Sequence, residues 1–149
     1  MRSWTRSAAE TQAQGARFAR ARPRNTNLFA AIYLSGDLGA GKTTWTRGFL
    51  AACGVTAVVR SPTYTLLELY DLGGVHALHL DLYRLQDESE LEALGLRDWA
   101  QSGYLWLIEW PDRAAGPCID CPLDTGSRGE LQPHRPQLAI KHLILFRFI

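Results

Sequence analysis

Gly36-Asp37-Leu38-Gly39-Ala40-Gly41-Lys42-Thr43 fits the pattern G-x-x-x-x-G-K-[ST] at every fixed position, and its flanks decide the fold. Before it, Leu28-Phe29-Ala30-Ala31-Ile32-Tyr33-Leu34 is a continuous apolar run of strand length, the signature of a strand buried on both faces of a parallel sheet. After it, Trp45, Phe49, Leu50 and Cys53 recur at helical spacing and Gly54 offers a stop. Strand, glycine loop and helix in that order form a phosphate cradle. The glycines admit positive φ and bring backbone N–H groups close to phosphate oxygens. Lys42 reaches the β- and γ-phosphates, the Thr43 hydroxyl is placed to ligand Mg²⁺, and the dipole of a helix starting at Lys42 faces the anion. The octapeptide therefore predicts binding of a nucleoside triphosphate.

The chain has 149 residues, 46% of them hydrophobic, which suits a single domain over residues 1–149. Sixteen basic and fifteen acidic residues give a net charge of +1, so no global field draws nucleic acid or a membrane, and any link to RNA is indirect or local. No apolar stretch approaches the ~20 residues that span a bilayer, and the start of the chain lacks the apolar core of a secretion signal; the expected location is the cytoplasm. Of the three cysteines, Cys53 reads as a core residue. Cys118 and Cys121 form a CxxC, but no second pair follows and the spacing of His134 and His142 fits no common zinc pattern, so the pair reads as coincidence.

From Ser7 the Ala/Arg-rich leader reads as an amphipathic helix ended by Pro23. Downstream, Ala57-Val58-Val59 is a short strand candidate leading into Ser61-Pro62-Thr63-Tyr64-Thr65. Thr65–Tyr70 and Val75–Asp81, joined through Gly73-Gly74, read as a hairpin. In its second strand Leu78, Leu80 and Leu82 alternate with His79, Asp81 and Tyr83, setting an apolar face against a polar one. Asp87-Glu88-Ser89-Glu90 caps a short helix stopped by Gly95, and Tyr104–Trp110 is another buried strand.

A magnesium ion on a triphosphate usually takes a second protein oxygen, commonly a carboxylate at the C-terminal end of a buried strand. Glu109 ends such a run and is the first choice; Asp81 is the second, suited to orienting the attacking water. Asp71-Leu72-Gly73-Gly74 matches D-x-x-G, yet it falls in a hairpin turn and no N-K-x-D occurs, which disfavours GTP. Arg47, Arg84, Arg97 and Arg113 are all available as a clamp on the γ-phosphate, and the sequence does not choose among them. A small-metabolite kinase and a nucleotide-dependent scaffold share these features and stand as alternatives.

The joint pattern resembles the TsaE family, small bacterial ATPases of tRNA threonylcarbamoyladenosine biosynthesis. The resemblance rests on Gly36 through Thr44, Ser61-Pro62-Thr63-Tyr64-Thr65-Leu66, His79-Leu80-Asp81-Leu82-Tyr83-Arg84-Leu85, the helix closing at Gly95, and Ile108-Glu109-Trp110-Pro111, with Thr11 and Gly15 in the leader. It covers roughly residues 10–116. It implies an α/β fold, a three-layer P-loop NTPase sandwich whose mainly parallel sheet carries an inserted antiparallel hairpin. It also implies hydrolysis of ATP with Mg²⁺, in partnership with the threonylcarbamoyl transferase protein and its paralogous subunit, with tRNA engaged through that complex and no membrane. By the same resemblance Gly36, Asp37, Leu38, Gly39, Ala40, Gly41, Lys42, Thr43, Thr44, Asp81 and Trp110 contact ATP, and Thr43 and Glu109 hold the metal. Lys42 and Asp81 act in catalysis, and Ser61, Pro62, Thr63, Tyr64 and Thr65 form a switch-like loop. After about Gly116 the sequence departs from the family pattern. Cys118–Pro136 is rich in Pro and Gly, and Leu138–Ile149 is an unfamiliar apolar-basic ending; a shifted reading frame is one source of such a break.

Overall fold

The computed structural model describes residues 5–22, 30–101, 103–114 and 143–148. The elements run α1 (Ala8–Ala21), β1 (Ala30–Gly36), α2 (Lys42–Ala52), β2 (Leu67–Asp71), β3 (His76–Asp81), α3 (Glu88–Ala93), α4 (Leu96–Trp99), β4 (Tyr104–Glu109) and β5 (Leu143–Phe148), with a 3-10 turn at Pro111–Arg113. The five strands form one sheet ordered β2-β3-β4-β1-β5. β1 lies parallel to β4 and β5, β3 lies parallel to β4, and β2 alone is antiparallel, paired with β3. The fold is thus α/β with a mostly parallel sheet and a hairpin at one side.

Chemistry at the level of single strands explains this order. β1, β3 and β4 are buried on both faces and sit inside the sheet, between two packed layers. β2 carries Glu68 and Asp71 among its exposed positions and takes the edge, where charge deters further pairing. On one face Ile32, Leu34, Ala77, Leu105 and Leu107 pack against Trp45, Phe49 and Leu50 of α2 and Ala19 of α1. On the other, Ala31, Tyr33, Leu78, Leu80, Trp106 and Ile108 pack against Leu91 and Leu96 of α3 and α4.

The helix termini follow their local chemistry. Ser7 caps α1 by accepting from the Glu10 amide. Asp87 caps α3 by accepting from the Ser89 and Glu90 amides. α2 ends in a left-handed Gly54 (φ 100°), with Gly54 N donating to Ala51 O and Val55 N to Leu50 O, the paired bonds of a Schellman close.

Three features of the sequence reading change. Residues 57–59 form no strand: the Val59 carbonyl is taken by Arg47 Nε at 2.8 Å, and Val58 points to solvent. The polar face of β3, whose exposure alternation alone leaves open, is buried at His79 and Asp81. The chain ending, unfamiliar as sequence, contributes β5 in parallel register with β1 from Ala31↔Leu143 to Gly36↔Phe148. Cys118, Cys121, His134, His142 and Pro23 lie outside the described residues.

α1 and α2 meet backbone to backbone. A methyl at Gly48 would sit 2.0 Å from the Gln12 carbonyl oxygen, and one at Gly15 would sit 2.2 Å from that of Trp45. Neither obstacle is the end of a flexible side chain, so the helices must separate to admit a Cβ. Gly48→Ala is therefore expected to cost about 1–3 kcal/mol as overpacking, read by urea denaturation. An unchanged midpoint would contradict the close approach.

Candidate functional site

The buried acidic residues of the sheet, Asp81 and Glu109, lie together at one end. β1 runs into the glycine loop at Gly36, while β3 and β4 end at Asp81 and Glu109, which face each other in register; Glu109 also pairs with Leu34 of β1. Parallel strands necessarily deliver their C-terminal groups to the same edge. Asp81 and Glu109 are 3% and 2% exposed, and Lys42 is 4% exposed.

The loop is shaped by glycines held at positive φ, 79° at Gly39 and 102° at Gly41. Gly41 is the N-cap of α2 and offers no side chain, so the first amides of the helix are left for another acceptor. A Cβ at Gly39 would meet nothing within 4 Å, whereas one at Gly41 would lie 3.3 Å from the Thr11 methyl of α1. Lys42 Nζ donates to the Gly36 and Asp37 carbonyls, each at 2.7 Å. The same ammonium lies 3.7 Å from the centroid of the Trp110 ring. Burial lowers the Lys42 pKa from its ordinary value, opposed by the charges of Glu109, Asp81 and Asp37.

Each carboxylate has its own set of donors. Glu109 Oε2 accepts from the Thr43 hydroxyl at 2.9 Å, and Oε1 lies 2.8 Å from Nε2 of His79. Asp81 Oδ2 accepts from the Ser61 hydroxyl and from that of Thr63 at 3.0 Å, while Oδ1 accepts from the Tyr83 amide at 3.0 Å. The loop is folded on itself: Ser61 Oγ and Thr63 Oγ1 are 2.7 Å apart, and Leu66 N donates to Pro62 O at 2.7 Å with Leu66 at φ 60°. Pro62 is buried, Thr65 is exposed, and Tyr64 is 83% exposed with the Arg84 guanidinium 4.4 Å from its ring centroid. Trp110, in left-handed backbone at φ 58°, donates its amide to Leu34 O and packs its ring 5.0 Å from that of Tyr83.

The residues singled out in the sequence thus converge: Lys42, Thr43, Asp81, Glu109, Trp110 and the hydroxyls of residues 61 and 63 form one contiguous set. Asp37, Leu38 and Gly39 form the exposed tip of the loop. Among the arginines, Arg47 serves the Val59 carbonyl, Arg84 covers Tyr64 and Arg113 lies over Tyr83; the side chain of Arg97 lies outside the described residues. Asp71-Leu72-Gly73-Gly74 closes the β2–β3 hairpin, with Asp71 Oδ1 accepting from Gly73 N, well away from these groups in the fold. Two participants carried no assigned role in the sequence reading. His79 lies two residues before Asp81 on the same pleat face, but its partner Glu109 sits on a strand that only the fold brings alongside. Thr11 reaches Gly41 because α1 docks on α2.

Fold and site together define an α/β protein whose buried charges and glycine loop meet at the C-terminal edge of a mostly parallel sheet. Among the described residues no helix is long and apolar enough to cross a membrane. A family model described as Threonylcarbamoyl adenosine biosynthesis protein TsaE matches residues 5–131, and the chain belongs to that family. The match continues past Gly116, where the sequence alone placed a departure. The Haemophilus influenzae tRNA threonylcarbamoyladenosine biosynthesis protein TsaE is 49% identical over 92 residues, which are 62% of this chain and 58% of that protein. Its Bacillus subtilis counterpart is 47% identical over 79 residues, 53% and 49% of the two chains. The crystal structure of Bacillus subtilis YdiB superposes with a TM-score of 0.53 at 30% identity, covering 74% of this chain and 64% of that one. The chain spans roughly half to three fifths of the length of the curated relatives it matches.

Asp81 anchors residues 61–63 from below, and hydrogen bonds to a charged group are worth about 1.5–3 kcal/mol each. Ser61→Ala with Thr63→Ala should raise amide hydrogen exchange across residues 63–66 about tenfold or more, leaving β4 protected. Exchange unchanged in that loop would show that it is held by something else.

Proposed function

We propose that the chain is a P-loop ATPase, dependent on Mg²⁺, that supports threonylcarbamoyl modification of the adenosine next to the anticodon in tRNA, acting with the transferase protein and its paralogous partner subunit. The observation that carries this reading is the Thr43–Glu109 hydrogen bond of 2.9 Å, which joins the start of the loop helix to the carboxylate ending β4. A hydroxyl and a carboxylate oxygen side by side suit a hard cation, and a loop of positive-φ glycines beside a buried ammonium suits a triphosphate. The residues present therefore fit both groups. Thr43 and Glu109 would hold the metal, and Gly36 through Thr44, with Asp81 and Trp110, would line the nucleotide. When bound, Mg²⁺ neutralises charge developing on the phosphate oxygens.

The protein's own part is positioning. Lys42, now held by two loop carbonyls, has a third N–H to turn toward an anion. Asp81 is suited to orient the attacking water, but both of its oxygens are engaged, Oδ2 by Ser61 and Thr63. Release of residues 61–65 would free that oxygen, which makes the loop a switch: its order and the availability of Asp81 are opposite sides of one equilibrium. A kinase differs by needing an acceptor, so phosphate release without one separates the two readings.

Lys42→Ala should abolish productive ATP binding and hydrolysis, since the loop has no other side-chain cation; hydrolysis at the unmodified rate would remove the phosphate-loop assignment. Hydrolysis by the chain alone should be slow and should rise when the partner complex is added, by up to ~10³-fold or more if a partner completes the transition-state charge. Thr63→Ala should reduce the stimulated rate more than the basal one. Tight partner binding with no response in either rate would count against the link to tRNA modification.

A further inference from the structure

His79 is wholly buried in the interior strand β3, where among the described residues the ring has one polar contact, Nε2 to Glu109 Oε1 at 2.8 Å. Its other nitrogen, Nδ1, is buried with no hydrogen-bond partner among the described residues. A histidine retained for packing alone would be replaced by an apolar side chain at less cost, because a buried polar atom without a partner is unfavourable. The ring is therefore accounted for by Glu109. A carboxylate only accepts, so in this contact Nε2 is the donor. The two oxygens of Glu109 are consequently divided: Oε1 is held by His79, and Oε2 faces Thr43. Strand geometry fixes this division. His79 pairs in register with Leu107 and Asp81 with Glu109, so the ring stands one pleat below the carboxylates on the same face of the sheet.

We propose that His79 is a positioning residue for the metal-binding carboxylate, holding Glu109 Oε1 so that Oε2 is the oxygen presented beside Thr43. This rests on the reading of Thr43 and Glu109 as magnesium ligands. The chemistry is that of an outer-shell group that orients a ligand it does not replace; loss of such groups typically weakens metal affinity 10–100-fold. His79 touches neither nucleotide nor metal, so its removal should spare the affinity for nucleotide alone.

The test is calorimetric titration of the full chain with ADP, with Mg²⁺ varied and in EDTA, on wild type, Glu109→Gln, His79→Leu, His79→Gln and His79→Asn. Gln places its amide nitrogen near Nε2, whereas Asn places it near Nδ1. The expected result is a Mg²⁺ midpoint raised about tenfold or more by His79→Leu, recovered to within about threefold by His79→Gln but not by His79→Asn, with ADP affinity in EDTA unchanged. A folded His79→Leu with the wild-type midpoint would overturn the proposal. If His79→Leu does not fold, the Gln and Asn variants decide alone, and equal midpoints for the two would overturn it. A wild-type midpoint that Glu109→Gln leaves in place would instead overturn the metal assignment, and this role with it.

Discussion

Two carboxylates placed side by side out of water are the constraint on which the rest of this molecule depends. The parallel pairing of β3 with β4 puts Asp81 opposite Glu109, both almost fully buried. An unpaired buried charge costs several kcal/mol, and two adjacent ones repel. The structure meets this with separate donor sets. Asp81 is served by its own strand exit and the 61–63 hydroxyls, and Glu109 by Thr43 and His79. Lys42 adds a positive charge felt by both. Since these donors come from β3, the start of α2 and the loop before β2, the carboxylate pair ties together segments that are distant in sequence.

The glycine loop depends in turn on a support that lies outside it. α1 docks on α2 through Gly15 and Gly48, close enough that no Cβ fits between the backbones. That approach sets Thr11 against Gly41 at the start of α2, while the Thr11 hydroxyl is bonded to Ser7 O at 3.0 Å. Phe18, Trp45 and Phe49 fill the remaining space, with ring centroids 5.5–6.3 Å apart. The leading helix is thus part of what holds the loop, and a change at the α1–α2 contact reaches the site through packed backbone.

What could be read from the sequence was local, and what could not was pairwise across strands. The strand–loop–helix unit around Lys42 announces itself by composition and spacing, and the Gly73-Gly74 hairpin by its turn, where Leu72 N donates to Val75 O. Glu109 was legible because a carboxylate ending an apolar run demands a partner. The partner itself was not legible: His79 meets Glu109 only when β3 and β4 align, and alternation in β3 cannot say that its polar face is buried. Residues 57–59 have strand-like composition, yet a side chain took the carbonyl that a neighbouring strand would need. The ending at Leu143–Phe148 finds its partner in the flank of β1, a pairing across the chain that no local pattern announces.

The central claim is that the β1 loop and the ends of β3 and β4 form one site for a metal-bound triphosphate. A crystal structure of the chain with Mg²⁺ and a non-hydrolysable ATP analogue tests it most directly. Mg²⁺ is expected about 2.0–2.1 Å from the Thr43 hydroxyl oxygen, with Glu109 in its coordination shell directly or through one water, and Lys42 Nζ moved from the Gly36 and Asp37 carbonyls onto phosphate oxygens. Nucleotide bound elsewhere, or bound here with the metal remote from both Thr43 and Glu109, would contradict it.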